Sequence, residues 1–211
     1  MARYIGPKCR LCRREGMKLF LKGERCHTAK CAIAKRGDAF PPGGRAIKRG
    51  RVSEYGNQLR EKQRLKRYFG LLDRQFRGVF DRAIKDRGNT GTALLNIIER
   101  RLDNVVRQSG FSLGPASARQ LVAHGLVKVN GRKVDRPSYS VKAGDVISFT
   151  SKERPRKRVA EILEGSKPFQ VCPSWLERDE QALTVKVLRL PARDEFPFIL
   201  REQLIVEGAS K

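Results

Sequence analysis

Four cysteines near the start constrain this chain more than any other feature. Cys9-Arg10-Leu11-Cys12 is followed, thirteen residues later, by Cys26-His27-Thr28-Ala29-Lys30-Cys31. A two-residue gap lets both sulfurs of a pair turn onto one ion, and the four-residue gap of the second pair is also usable. Four soft ligands at about 2.3 Å suit tetrahedral zinc. The competing readings are two disulfides, idle buried thiols or an iron–sulfur cluster. His27 offers a substitute ligand, but four cysteines already complete a tetrahedron. The spacing predicts one structural Zn2+ on Cys9, Cys12, Cys26 and Cys31, with no position left open for water. Lys8, Arg10, Arg13, Arg14, Lys18, Lys22, Arg25 and Lys30 surround the ligands and are expected to favour the thiolates.

Charge narrows the partner. Lys and Arg number 46 against 22 Asp and Glu, a formal net charge of +24 and a pI near 10.6. Such an excess repels itself unless a polyanion neutralises it, and nucleic acid is the first candidate. A membrane is disfavoured, because no apolar run approaches the ~20 residues needed to span one. The N-terminus carries charge without a following apolar core, so no secretory signal is expected. A reducing, cytoplasmic setting then leaves Cys172 as a spare thiol.

Residues 1–52 are rich in Arg, Lys, Gly and Pro, with a breaker run at Phe40-Pro41-Pro42-Gly43-Gly44. Such an arm needs a metal or a partner to fold. Helical patterning starts after Ser53, a good N-cap. Over residues 54–69 at 100° per residue, Arg60, Arg64 and Arg67 share one face, and Tyr55, Leu59, Leu65 and Phe69 lie opposite. Lys62 and Lys66 intrude on the apolar arc and must snorkel. Leu72, Phe76, Val79, Phe80, Ala83 and Ile84 mark a second amphipathic helix that ends near Gly88. A third starts near Thr92, with one stripe from Leu94 to Val106 and Gly110 as its stop.

Further on, Pro115 to Ala123 reads as a short helix. Leu126 to Val129 alternates as a strand, and Asn130-Gly131 is the strongest two-residue hairpin signal. Val146 to Phe149 is another strand, and residues 154–164 look helical. Trp175 to Glu177, Leu183 to Leu190 and Leu204-Ile205-Val206 are late strand candidates. The fold expected is α+β: a basic zinc-binding arm (1–52), a helical domain (53–98) and a mixed domain (99–211) with helices on a small antiparallel sheet. Within that last domain a module of about 99–165 precedes the C-terminal strands.

The arginine face of α-helical residues 60–67 has few acids to pair with, and no acid lies between residues 39 and 53. Arg45, Lys48, Arg49 and Arg51 extend the charge, so phosphate contact is favoured over a merely solvated face. A short helix presenting Ser117, Arg119, Gln120 and His124 beside a hairpin with Asn130, Arg132 and Lys133 suits RNA, which is recognised through shape, phosphates and 2′-hydroxyls. The helix dipole alone also accounts for His124. Leu121 and Val122 read as core. Asp103 reads as a local pairing or capping device.

Several stretches resemble the bacterial-type small-subunit ribosomal protein four family, in its zinc-binding four-cysteine form. Gly6 to Gly16 is similar to the family's opening, as are Leu59 to Gln63, Gln75-Phe76-Arg77 and Arg101 to Val106. Ala118-Arg119-Gln120-Leu121-Val122-Ala123-His124-Gly125, followed by Val129-Asn130-Gly131-Arg132, resembles the RNA-binding module named after it. A weaker echo lies in Glu202 to Glu207. The resemblance implies a structural protein that binds 16S-type ribosomal RNA early in small-subunit assembly, beside neighbouring ribosomal proteins. It also implies a place near the messenger entry path and an influence on decoding accuracy. No small-molecule substrate and no catalytic residue are expected. RNA contact is expected at the residues already named and at Arg3, Lys8, Arg10, Arg13, Arg14, Arg74 and Arg101. The alternatives are an RNA-modifying enzyme of pseudouridine synthase type with the same module, and a zinc-dependent DNA-binding regulator.

Overall fold

The computed structural model describes residues 3–36, 41–43, 53–169, 171–196 and 200–210. They form two compact units. The first gathers the chain up to Leu95 together with its last stretch from Phe198, and the second is Asn96–Pro197. The arm and the helices that follow it therefore belong to one unit, and the C-terminal stretch joins them instead of staying with residues 99–211.

In the first unit, α1 (Lys8–Glu15) ends at Gly16, whose φ of 73° provides the left-handed turn that closes the helix. Helix α2 (Glu54–Phe69) opens as expected, with Ser53 Oγ accepting from the Gly56 N–H at 3.2 Å. Helix α3 (Asp73–Ile84) buries Phe76, Val79, Phe80 and Ala83 on one face. Lys66 is buried and reaches the Asp73 carboxylate. Tyr55, expected on the apolar face of α2, is 66% exposed.

Leu204-Ile205-Val206 is not a strand. Residues Glu202–Ser210 form the last helix of the chain, and it packs on α2. Ile205 is fully buried. Gln58 donates to Glu207 at 3.1 Å, and Lys62 Nζ donates to the Gly208 carbonyl at 3.2 Å. A Cβ on Gly208 would come within 2.8 Å of Gln58 Cβ, so this close approach needs glycine. Three apolar residues in a row fit either period, and the neighbouring helix decides between them.

The long third helix expected from Thr92 is two helices, α4 (Thr90–Glu99) and α5 (Leu102–Gln108). Between them Arg101 is extended and bridges to Ser140. The Leu102 N–H donates to the Tyr139 carbonyl at 2.8 Å, and the Val141 N–H to the Arg100 carbonyl at 2.9 Å. These bonds from a distant loop replace the helical ones and break the ladder.

The second unit continues with α6 (Pro115–Ala123), β1 (Val127–Val129), β2 (Arg132–Lys133), β3 (Val146–Phe149), α7 (Glu153–Ser166), β4 (Leu176–Asp179) and β5 (Thr184–Val187). The final helix described above is α8. The sheet order is β2-β1-β3-β5-β4, antiparallel throughout. Val129 faces Ile147, which faces Val185 across β5, so alternate residues of three strands point into one core. Helices α5, α6 and α7 cover that face through Val105, Val106, Val122, Val159 and Leu163. Phe111 meets Phe149 edge to face at 4.9 Å. Among the described residues, no helix is long and apolar enough to cross a membrane.

Candidate nucleic-acid interface

The cations predicted to bind phosphate divide into those held inside the fold and those left outside. Arg101 is buried and gives two hydrogen bonds to Asp103, at 3.0 and 2.8 Å. Arg119 donates to the same carboxylate at 3.4 Å, with only 12% of its side chain exposed. Both arginines therefore brace α5 and α6, contrary to their expected place on an open surface. The expectation for Asp103, a local pairing device, matches its position.

The arginine face of α2 is also partly consumed. Arg60 and Arg67 converge on the Glu15 carboxylate at the end of α1, and Arg64 pairs with Glu61 on its own helix. Glu15 is buried, which pushes its pKa above the usual carboxylate range against the pull of Arg67, Arg60 and Arg64. Residue type alone could not reveal this acid, because it lies far back in sequence. The three guanidiniums remain about a quarter exposed.

Asn130 has a structural task as well. Its φ of 49° and Gly131's 78° form the tight turn of the hairpin. Its side-chain amide donates to Asp145 at 2.9 Å, and its side-chain oxygen accepts from the Val146 N–H at 2.9 Å. The turn is thereby fastened to β3, while the Asn130 side chain itself stays exposed with its second amide N–H unused by these bonds.

Other candidates stay on the surface. Gln120, His124, Arg132 and Lys133 are exposed, and Ser117 is half-buried. The Lys133 side chain lies against Gly125, just past α6, where a Cβ would meet its Cε at 2.1 Å. The hairpin cations thus sit beside the end of α6. Helix α7 supplies cations missed in the sequence: Arg154, Lys157 and Arg158 line a groove with Ser117, Gln120 and His124. Their i, i+3, i+4 spacing on one helix face was the available signal.

In the first unit Arg3, Arg10, Arg14 and Arg74 are exposed and Arg13 is half-buried. Lys8 donates to the Tyr4 carbonyl at 2.7 Å and lies over its ring, with its pKa lowered by burial and by Arg3. Arg45, Lys48, Arg49 and Arg51 lie outside the described residues.

The four early cysteines carry free thiols. Cys12, Cys26 and Cys31 are buried and Cys9 is half-buried. Electrostatic influence of Cys9, Cys26 and Cys31 on Cys12 puts the sulfurs in one neighbourhood. Among the described residues, no three His, Cys, Asp or Glu side chains converge closely enough, as they stand, to hold an ion. Burial pushes the Cys12 and Cys26 thiols above their ordinary range. Lys18 acts on Cys26 in the other direction, more weakly, so at these two positions desolvation outweighs the expected help from basic neighbours. His27 stacks on Phe20 at 4.9 Å.

Residues 3–99 match the Ribosomal protein S4/S9 N-terminal domain, and residues 100–147 match the S4 domain. Small ribosomal subunit protein uS4 of Caldicellulosiruptor bescii is 52% identical over all of both chains. The chain belongs to the uS4 family. Small ribosomal subunit protein uS4A of Symbiobacterium thermophilum and uS4 of Geobacter sp. (strain M21) are each 51% identical, again over the full length of both chains. The S4-domain match covers α5, α6, the hairpin and the start of β3. Helix α7 and its three cations lie beyond it, yet within the length shared with uS4 relatives.

Proposed function

We propose that this chain is a structural protein of the small ribosomal subunit that binds the subunit's ribosomal RNA. Two things support the reading: the full-length kinship with uS4 proteins, and the joining of α6, the hairpin and α7 into one cationic, polar surface. The surface observation carries it. Exposed Arg132, Lys133, Arg154 and Arg158 offer charge to phosphates, while Ser117, Gln120 and His124 offer donors to sugars and phosphates. The first unit adds Arg3, Arg10, Arg14 and Arg74. The protein works by holding RNA geometry, and its neighbours in the subunit are other ribosomal proteins. It acts early in assembly, near the messenger entry path, where a rigid contact influences decoding accuracy.

One structural zinc on Cys9, Cys12, Cys26 and Cys31 belongs to the same proposal. Support comes from the soft donor set, the free thiols and their shared neighbourhood. The ion supplies a cross-link and no chemistry. Metal analysis of purified, reduced protein should find one zinc per chain, and a metal-free folded protein would rule it out.

The RNA-binding reading is tested by affinity for folded small-subunit ribosomal RNA and for duplex DNA at ~0.2 M salt. The RNA should be strongly preferred, and each lost phosphate contact should reduce the salt slope by roughly one unit or less. Equal affinity for both polymers would point instead to nonspecific binding through charge.

A further inference from the structure

The groove between α6 and α7 is more than a run of charges. It encloses about 580 Å³, which falls within the size range of pockets that take small organic groups. Its floor is apolar: Leu121 and Leu126 on one side, Pro155 and Ile162 on the other. A simple phosphate track has no use for such a floor. Arg154, Lys157, Arg158 and Glu161 follow one face of α7 at helical spacing. Lys157 is paired with Glu153 at 2.8 Å. Arg154 and Arg158 have no acidic partner among the described residues and are exposed. Along the helix axis Glu161 lies about 10 Å from Arg154 but only about 4.5 Å from Arg158.

We infer that this groove takes one unstacked nucleotide of an RNA strand, with its phosphate at Arg154 and Arg158 and its base over Leu121, Leu126 and Ile162. The inference rests on the RNA-binding reading above. Arg154 at one end and Glu161 at the other orient the guest. A phosphate is drawn to the guanidiniums and repelled by the Glu161 carboxylate. An exocyclic amino group of a base can donate to that carboxylate, and Gln120 and Ser117 can pair with the remaining edge. Bases in loops and bulges are free to be splayed out in this way, whereas bases within a duplex are not. The unit therefore selects RNA with an extruded base over RNA that is fully paired.

The test uses the full chain and two RNA hairpins that differ only by one bulged 2-aminopurine nucleotide, at ~0.2 M salt. The bulged hairpin should bind about tenfold more tightly, the order expected from burying one base on an apolar floor, with fluorescence rising as the base leaves its stack. Ile162→Ser should bring the bulged-to-paired ratio close to one. The double variant Arg154→Ala/Arg158→Ala should weaken the bulged complex most; it keeps the test alive if a thermal melt shows that Ile162→Ser does not fold. Equal binding of both hairpins by the parent overturns the inference and leaves the RNA-binding reading standing; the groove is then a phosphate track or a dock for a protein. A preference for the bulge that survives both variants also overturns it, because the base then sits elsewhere. If the parent binds neither hairpin better than duplex DNA, the RNA-binding reading itself fails.

Discussion

Arg119 on α6 donates to the Asp103 carboxylate on α5 across 3.4 Å. The pair ties together two helices that cover the sheet, and Asp103 is already held by buried Arg101. Arg119→Ala should cost about 1 kcal/mol of stability, since Asp103 keeps its other partner. Asp103→Ala should cost about 3 kcal/mol or more, because it strands a buried guanidinium. Urea denaturation measures both. Ribosomal RNA affinity of folded Arg119→Ala should stay close to the parent's. A large loss of affinity with unchanged stability would move Arg119 back to the RNA.

Glu15 makes a separate case. Its buried carboxylate holds Arg60 and Arg67, so Glu15→Ala should destabilise the first unit by about 2 kcal/mol. The same change takes a shared carboxylate away from two guanidiniums. The salt slope of RNA binding should therefore hold or rise, and a fall in that slope would mean that Glu15 orients the arginines for RNA.

Asn130→Ala should lower stability by about 1–3 kcal/mol, through loss of two side-chain hydrogen bonds at an αL position. Thermal melts should show the loss, while RNA affinity of the folded protein remains near the parent value. The reverse pattern would return Asn130 to the interface.

Glu99 gives a pH signature. It is almost wholly buried between α4 and α5, and burial pushes its pKa from 4.5 to about 7, against the pull of Arg107, Asn104 and Gln108. The folded chain thus keeps a proton that the unfolded chain releases above pH 4.5. Its contribution to stability is full below that value, falls as pH rises and is gone above about 7. The full loss is on the order of 3 kcal/mol. Urea melts between pH 5 and 8 should show the decline, and Glu99→Gln should flatten it. A parent profile that rises over this window would contradict the assignment.

Local signals were the legible part of this molecule. Ser53 capping α2, Asn130-Gly131 turning the hairpin and Pro115 opening α6 each act within a few residues, so the sequence displays them directly. The break between α4 and α5 depends on carbonyls of Pro137 and Tyr139 and could not be read locally. The helical state of residues 204–206 depends on α2 in the same way. Among site residues, sequence marks which carry charge but not which are already neutralised. Arg101 and Arg119 looked identical in kind to Arg132, and only the folded position of Asp103 separates them. The groove was invisible because it forms only where α7 meets α6, and its apolar floor comes from both helices and from Leu126 between α6 and β1.

The packing of α8 on α2 joins segments that are 149 residues apart where Gln58 meets Glu207. Synthesis proceeds from the N-terminus, and domains tend to fold as they emerge. The second unit is one unbroken stretch of chain and can close as soon as residue 197 is clear of the ribosome that makes it. The first unit, begun much earlier, must wait for residues 202–210. The half of the protein that is translated first is therefore the half completed last, and α2 stays open to other partners until α8 has emerged.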